Sequence, residues 1–424
     1  MTGRTRPRQA DSAVEPGNAQ PMLAPRPLPA PPRRYTDKDY ADIRLGVTAR
    51  EMEERWNIWC NGDVIHVHRS WTGFEIYRAT FTRLADGWAM TEVACESDRE
   101  RFNSPTADAN DLVALIDDLM LDGDEARLAP LFARDDRVFR ARAALDGVRV
   151  GDALGSQFFV PENRPYFNHK TTPPPPWPWT DDTQMAWVLA THLRANGEVR
   201  QDGLAADFAT HFDLYRGYGP GAGRLLRLVR DGGDWRELST EMFGGSGSYG
   251  NGAAMRVAPL GAWFAADLDA VVAQATLSAE VTHRHPDGIA GAVAVAVAAA
   301  LASADDTPAA GELLTEVIDR TTDGEVRAGL QRAREIPQGT DPLDVARELG
   351  NGSRTAAHDT VPFCLWVAAH GLDDYRKSFW DTASAGGDID TTCAIVGGIV
   401  AANVGPAGIP EDWRESAEEL PEAF

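Results

Sequence analysis

The chain has 424 residues, 43% of them apolar, and 41 Lys and Arg against 64 Asp and Glu, for a net charge of −23. That length fits two or three domains with ordinary cores. The acidic balance, with no basic footprint outside the N-terminal tail, argues against a protein that tracks nucleic-acid phosphates. Cys60, Cys95, Cys364 and Cys393 are scattered without a CxxC pair. This speaks against a disulfide framework or a zinc ribbon and for a reducing, cytoplasmic setting.

Residues 1–34 are rich in Pro, Ala and Arg with almost no aromatic content, which predicts a disordered arm. They carry no apolar h-region, so no secretory signal is expected. Within 35–135, Trp56–Cys60, Asp63–Arg69, Phe74–Arg83 and Trp88–Ala94 alternate apolar and polar residues between Asn-Gly, Thr-Gly and Asp-Gly turns. That is the pattern of an antiparallel meander. Asp108–Leu121 follows with helical periodicity and an acidic outer face. The expectation is a small α+β module. Its His66, His68 and Arg69 read as exposed strand residues, and no chemistry is assigned to them.

From about Val138 the texture changes to Ala-rich segments of helical period joined by Gly/Pro loops, running from 138–154 to 391–403 with no strand pattern. Residues 136–424 are therefore expected to form an all-α domain with a large core. The longest apolar run, Ile289–Leu301, is too short to span a bilayer and reads as a buried helix, so no membrane association is expected.

Two acidic segments stand out, WTDDT at Trp179–Thr183 and GGDIDTT at Gly386–Thr392. Taken singly, each is a helix N-cap with acid in the first turn, where the helix dipole favours it. Taken together, Asp181, Asp182, Asp388 and Asp390 with their neighbouring threonines would offer carboxylates and hydroxyls to one pocket. Hard oxygen ligands suit Mg²⁺ or Mn²⁺ rather than zinc. Carboxylates this close cannot all stay ionised without cations between them, so two divalent ions are the natural occupants.

Three segments are glycine-dense: Gly151–Gly155 at a helix end, and Gly217–Gly221 and Gly244–Gly252 before helices. Glycine lets backbone amides approach a ligand and a helix N-terminus favours an anion, so the latter two suit a diphosphate. His283 and His285, two residues apart, cannot face one way on a helix. They suit single hydrogen-bond donors better than a metal pair.

Taken in order, GDALG (151–155), WTDDT (179–183), RGYGPG (216–221), GSYGNGAAMR (247–256), THRHP (282–286) and AGGDIDTT (385–392) resemble the motifs of the ADP-ribosylglycohydrolase family over about 140–405. The resemblance implies an all-α orthogonal bundle with a binuclear Mg²⁺ or Mn²⁺ centre. It also implies hydrolysis of the glycosidic bond between ADP-ribose and an acceptor on a protein or small molecule. Matched position by position, Thr180, Asp181, Asp182, Asp388, Asp390 and Thr391 correspond to metal ligands, with Asp181 or Asp182 handling the attacking water. Gly217, Gly219 and Gly221 correspond to the loop around ADP-ribose. Ser248, Tyr249, Gly250 and Asn251 correspond to the segment holding the diphosphate and distal ribose, Phe243 to a ring against adenine, and His283 to a ligand-contacting histidine.

One departure concerns the acid that closes over the metals in many members. Phe159 stands at its position, so either Glu162, the nearest acid, takes that catalytic role through a shifted loop or the site works without it. Ile389 replaces a more usual Thr or Cys. The alternative within the same resemblance is a catalytically silent ADP-ribose-binding protein, against which the retained carboxylates argue. The N-terminal module resembles, in architecture alone, extensions of bacterial relatives that block ADP-ribosylating toxins, which makes such a toxin a candidate partner.

Overall fold

The alternating segments of the first half pair into one antiparallel sheet. The computed structural model describes residues 16–49, 55–84, 87–102, 108–121, 129–304 and 308–421, and the chain divides into two units, Met1–Asp135 and Asp136–Phe424. In the first unit the strands are β1 (Pro25–Leu28), β2 (Trp56–Asn61), β3 (Val64–Arg69), β4 (Glu75–Leu84) and β5 (Gly87–Glu96), ordered β1-β5-β4-β3-β2. Asn61 pairs with Val64 across a two-residue turn in which Gly62 takes φ 61°, a conformation that glycine adopts without strain. Helices Asp37–Leu45 and Ala109–Met120 begin with reciprocal caps, Thr36 with Asp39 and Asp108 with Asp111. Ile43, Ile58, Ile65, Val67, Leu112 and Ile116 are fully buried between these helices and one face of the sheet.

The expected disordered arm is too long. Residues 1–15 lie outside the described residues, but Pro25–Leu28 form β1 on the sheet edge beside β5. An edge is where a strand tolerates proline, which lacks an N–H for the ladder. The segment is fastened by the buried Glu96 carboxylate, which accepts from the Leu23 amide at 2.7 Å and the Ala24 amide at 3.0 Å. Composition alone suggested disorder because the group that holds this segment lies some seventy residues downstream.

The second unit is mainly helical. Pro286–Ala302 and Ile389–Gly408 are apolar on nearly every side and lie in the core with Ala357–His370, as all-round apolar helices of a packed bundle must. Ile389–Gly408 is long and apolar enough by composition to cross a membrane, yet most of it is buried inside this unit. The long helix Ala129–Ser156 runs against it through Gly147, Gly151 and Gly155. A Cβ on these glycines would come within 2.2 Å of Gly397 O, 2.2 Å of Cys393 O and 2.9 Å of Asp390 Cα. Only glycine permits that approach. The GDALG glycines thus serve helix–helix contact, and their spacing sets Asp152 beside the start of the opposing helix. The sequence patterns missed the helix that starts at Trp235, capped by Asp234 and broken at Met242–Gly244.

Candidate metal centre

Thr180 occupies the N-cap of helix Asp181–Asn196 with extended backbone, φ −110° and ψ −162°, but its side chain makes no capping bond. The hydroxyl turns aside and lies 2.8 Å from Asp152 Oδ1 and 2.9 Å from Asp182 Oδ2. Asp388 holds the N-cap of Ile389–Gly408 and likewise caps nothing. Its Oδ2 accepts from Asn251 Nδ2 at 2.8 Å. Capping therefore does not account for the side chains at either helix start.

Asp152, which the motif reading passed over, is fully buried and organises the first of these turns. It accepts from the Thr180 amide at 2.8 Å, the Thr180 hydroxyl at 2.8 Å, the Thr183 amide at 3.1 Å and the Thr183 hydroxyl at 2.5 Å. Asp182 is the opposite case. It is 1% exposed, and its Oδ1 has no hydrogen-bond partner. A buried polar oxygen left bare costs free energy unless something pairs with it. Single oxygens of Asp152, Asp182 and Asp390 lie within 4.8 Å of one another. The Thr180 hydroxyl has one proton for two carboxylates, so its second contact needs either a further proton or a cation beside the oxygens. Neighbouring oxygens around an octahedral Mg²⁺ lie about 3 Å apart. A bare buried carboxylate oxygen among closely set oxygens fits a hard divalent cation.

The electrostatics agree. Burial pushes Asp181 up to about 7, with the Asp152 and Asp388 charges adding to it. Burial, and then Asp152, Asp390, Asp181 and Asp388, drive Asp182 well above the usual carboxylate range. Asp390 is raised by burial and by Asp388 and Asp152. Asp388 is raised by burial against the hydrogen bonds of Asn251 and Thr391, and Asp152 by burial against those of Thr180 and Thr183. The two acidic segments, two hundred residues apart, therefore feel one another directly. Like charges gathered in low dielectric hold protons or bind cations.

The remaining predicted residues fall into two sets. Gly217, φ 88°, sits against the cluster: a Cβ there would lie 3.7 Å from Asp181 Oδ1. Arg216 ties this loop down through two 2.7 Å bonds to Glu418 and one of 2.9 Å to the Trp179 carbonyl. Gly219 faces open space, whereas Gly221 packs on Met242. Ser248 is buried and its Oγ accepts from the Gly250 amide at 3.2 Å. Asn251 bridges this segment to Asp388, and Gly250 and Gly252 abut the buried His283 ring. Phe243, 59% exposed, sits 5.7 Å from the Tyr249 ring. Thr391 is buried, and its amide donates to Asp390 Oδ1 at 2.8 Å. Glu162 is exposed on the short turn Pro161–Asn163. The leading electrostatic influences on Asp181 and Asp182 come from other aspartates rather than from Glu162.

The model of the family described as ADP-ribosylglycohydrolase matches residues 133–423. The chain belongs to the ADP-ribosylglycohydrolase family. It is similar to ADP-ribosylhydrolase ARH3 of Homo sapiens, 29% identical over 326 residues that cover 66% of this chain and 89% of the human protein. An uncharacterized protein of Archaeoglobus fulgidus is 32% identical over 292 residues, covering 66% of this chain and 91% of its own. A solved chain titled ADP-ribosylglycohydrolase-related protein complex superposes with a TM-score of 0.48 at 24% identity, covering 67% of this chain and 94% of that one. Membership in the ADP-ribosylglycohydrolase family supports ADP-ribosyl hydrolase activity on an ADP-ribosylated substrate.

Motif reading also missed a second support of this ADP-ribosylglycohydrolase site. Asn351 O accepts from the Asp388 amide at 3.1 Å, and Gly352, φ 81°, leaves no room for a Cβ, which would lie 2.7 Å from Asp388 Cβ. Thr360 Oγ1 accepts from Asn251 Nδ2 at 3.1 Å, holding the amide that reaches Asp388. An Asn-Gly pair between helices looks like any turn, and nothing local marks it as the floor of an acidic cluster. On the far side, Arg256 donates to Thr282 Oγ1 at 3.0 Å, and that hydroxyl lies 2.7 Å from His283 Nδ1. The Thr282 proton therefore goes to Nδ1, and the His283 Nε2 carries the N–H toward Gly250 and Gly252. Burial and the nearby Arg256 push His283 down to about 3, so it stays neutral.

Proposed function

We propose that the chain hydrolyses the glycosidic bond joining ADP-ribose to an acceptor, with two divalent ions, Mg²⁺ or Mn²⁺, held by Thr180, Asp181, Asp182, Asp388, Asp390 and Thr391. The observation that carries this reading is the bare, buried Asp182 Oδ1 among carboxylates that raise one another's affinity for protons. Ions bound there supply Lewis acidity and can bring the pKa of water from 15.7 to about 7.

The chain's own residues then divide the remaining work. Asp152, with its acceptors filled by Thr180 and Thr183, fixes the WTDDT turn and leaves the ligand role to its neighbours. Asn251 holds Asp388 in one orientation. Asp181, less buried than Asp182 and beside Gly217, orients the attacking water and takes its proton at a carboxylate oxygen. The amides of Gly217–Gly221 and Ser248–Asn251 receive the diphosphate and distal ribose, His283 donates from Nε2, and Phe243 with Tyr249 stacks the adenine. Glu162 takes no part in this reading.

The test is to incubate the purified chain with arginine-, serine- and DNA-linked ADP-ribose, with and without Mg²⁺, and to measure free ADP-ribose. Metal-dependent release from at least one substrate is expected. Thermal stabilisation by ADP-ribose without release from any of them would point to a silent binder.

A further inference from the structure

The sheet of the first unit carries a second group of metal-ligating side chains. His66 and His68 are two residues apart on β3, so both point to one face of the sheet. Their neighbours Ile65 and Val67 fill the core on the other face. Register places Glu75 of β4 opposite His68, after an irregularity in which Val67 pairs with Tyr77 and Ile76 is left over. A bulge re-aims side chains. Without this one, Ile76 would face His68 and the Glu75 carboxylate would point into the core. Ligand atoms of His66, His68 and Glu75 lie within 4.8 Å of one another.

Neither histidine is the exposed strand residue that the sequence suggested, and Glu75 is buried with them. His68 is 3% exposed, Glu75 2%, and the His66 side chain 17%, with the Trp59 ring stacked on it at 4.3 Å. His68 Nδ1 lies 2.8 Å from the Gly73 carbonyl. A carbonyl only accepts, so Nδ1 carries the proton and Nε2 presents a lone pair. That Nε2 is buried and has no hydrogen-bond partner. A backbone carbonyl on one ring nitrogen, with the other bare, is the arrangement that orients a metal-bound histidine. His66 Nδ1 lies 2.7 Å from Glu75 Oε1, and the other carboxylate oxygen accepts from the Met22 amide at 3.2 Å.

We infer that His66, His68 and Glu75 form a binding site for a single transition-metal ion of the zinc class, separate from the acidic centre of the helical unit. Two imidazoles and one carboxylate match the donor preference of Zn²⁺, whereas Mg²⁺ prefers an all-oxygen shell. His68 ligates through Nε2. The ion replaces the proton shared by His66 and Glu75, whose donor atoms open to about 3.3 Å, the edge of a tetrahedron with Zn–N bonds near 2.0–2.1 Å. Three protein ligands leave a fourth position for water. The site joins β3 to β4 and, through Glu75, to the segment that carries Met22.

The experiment uses the full chain in excess Mg²⁺, which occupies the hard-oxygen centre, titrated with Zn²⁺ against a chromophoric chelator and with Co²⁺ as a visible-absorption probe. One Zn²⁺ per chain is expected, with a Co²⁺ d–d band of low-coordinate nitrogen and oxygen ligation. His68→Gln and Glu75→Gln should weaken binding about tenfold or more, while Asp182→Asn leaves it unchanged. If His68→Gln does not fold, His66→Gln, at the half-open edge of the cluster, serves in its place. Zn²⁺ binding that is absent from the wild type, or lost in Asp182→Asn and kept in the histidine variants, would overturn the assignment.

Discussion

Asp267 and Asp374 begin helices Leu268–Glu280 and Tyr375–Ser384 and bond to backbone amides of the first turn: Asp267 to those of Asp269 and Ala270, Asp374 to that of Lys377. Thr180 and Asp388 hold the same position on their helices and make no such bond. In sequence the two pairs look alike, since all four are good N-cap residues. What separates them is whether the side chain is spent inside its own helix or turned toward another. A residue well suited to capping that does not cap has a competing partner, here the Asp152 and Asp182 carboxylates for Thr180 and the Asn251 amide for Asp388.

The sharpest way to break this comparison is to neutralise one acid of the cluster that Thr180 and Asp388 serve and one acid that caps its own helix. Asp182→Asn keeps the shape of the side chain and removes the charge. Turnover should fall by about 10³-fold, the scale of removing a principal electrostatic stabiliser, and stabilisation by Mg²⁺ should disappear in a thermal melt. The metal-free variant should melt no lower than the metal-free wild type, because Asn removes a buried carboxyl that must otherwise take up a proton or stand charged among other acids. Asp267→Ala should do the reverse, costing about 1 kcal/mol of stability and leaving turnover untouched. Equal loss of activity in both variants would erase the distinction.

A pH series sharpens the same contrast without mutation. Asp181 is raised from 3.8 to about 7 in the folded chain, so between these values the folded state holds more protons than the unfolded one. Stability without metal therefore falls as pH rises through that window. Mg²⁺ should cancel the fall, because bound cations favour the ionised carboxylates, and Mg²⁺ affinity should rise over the same range. Urea melts at several pH values, with Mg²⁺ and with chelator, measure both. A metal-free stability that climbs from pH 4 to 7 would contradict the clustering of these acids.

Asn251→Ala should have a smaller effect. It removes the hydrogen bond to Asp388, and hydrogen bonds to charged groups contribute about 1.5–3 kcal/mol. The expected loss in kcat/KM is therefore roughly tenfold to a hundredfold by the same measure, with the fold intact by circular dichroism.

The parts of this molecule that were legible in sequence are those with local causes. Alternation between glycine turns marked β2 to β5, and WTDDT and GGDIDTT marked both halves of the acidic cluster. The parts that were not legible depend on distant partners. β1 rests on Glu96, so its prolines looked like a loose arm. Asp152 was hidden in GDALG because that segment read only as a glycine-dense helix end, when the role of its glycines is to let two helices touch. His68 looked like a surface residue because nothing in VIHVHR reveals the bulge that sets Glu75 opposite it.

The smallest expected effect lies at Phe243, where backbone and ring make separate predictions. Its φ of 52° and ψ of 43° place a bulky residue in the left-handed region, at a cost of about 1–2 kcal/mol that glycine avoids. The ring is 59% exposed and packs beside Tyr249, which is itself 41% exposed. Such an aromatic pair is a poor use of surface unless something covers it. Phe243→Ala removes the ring and keeps the strain; Phe243→Gly removes both. If the ring stacks on adenine, both variants should raise KM about fivefold or more, since a base stack is worth about 1–3 kcal/mol, with kcat nearly unchanged. Only the glycine variant should also melt higher than wild type. A glycine variant that gains stability and keeps its KM would leave the exposed ring without a ligand to explain it, and would move the adenine elsewhere.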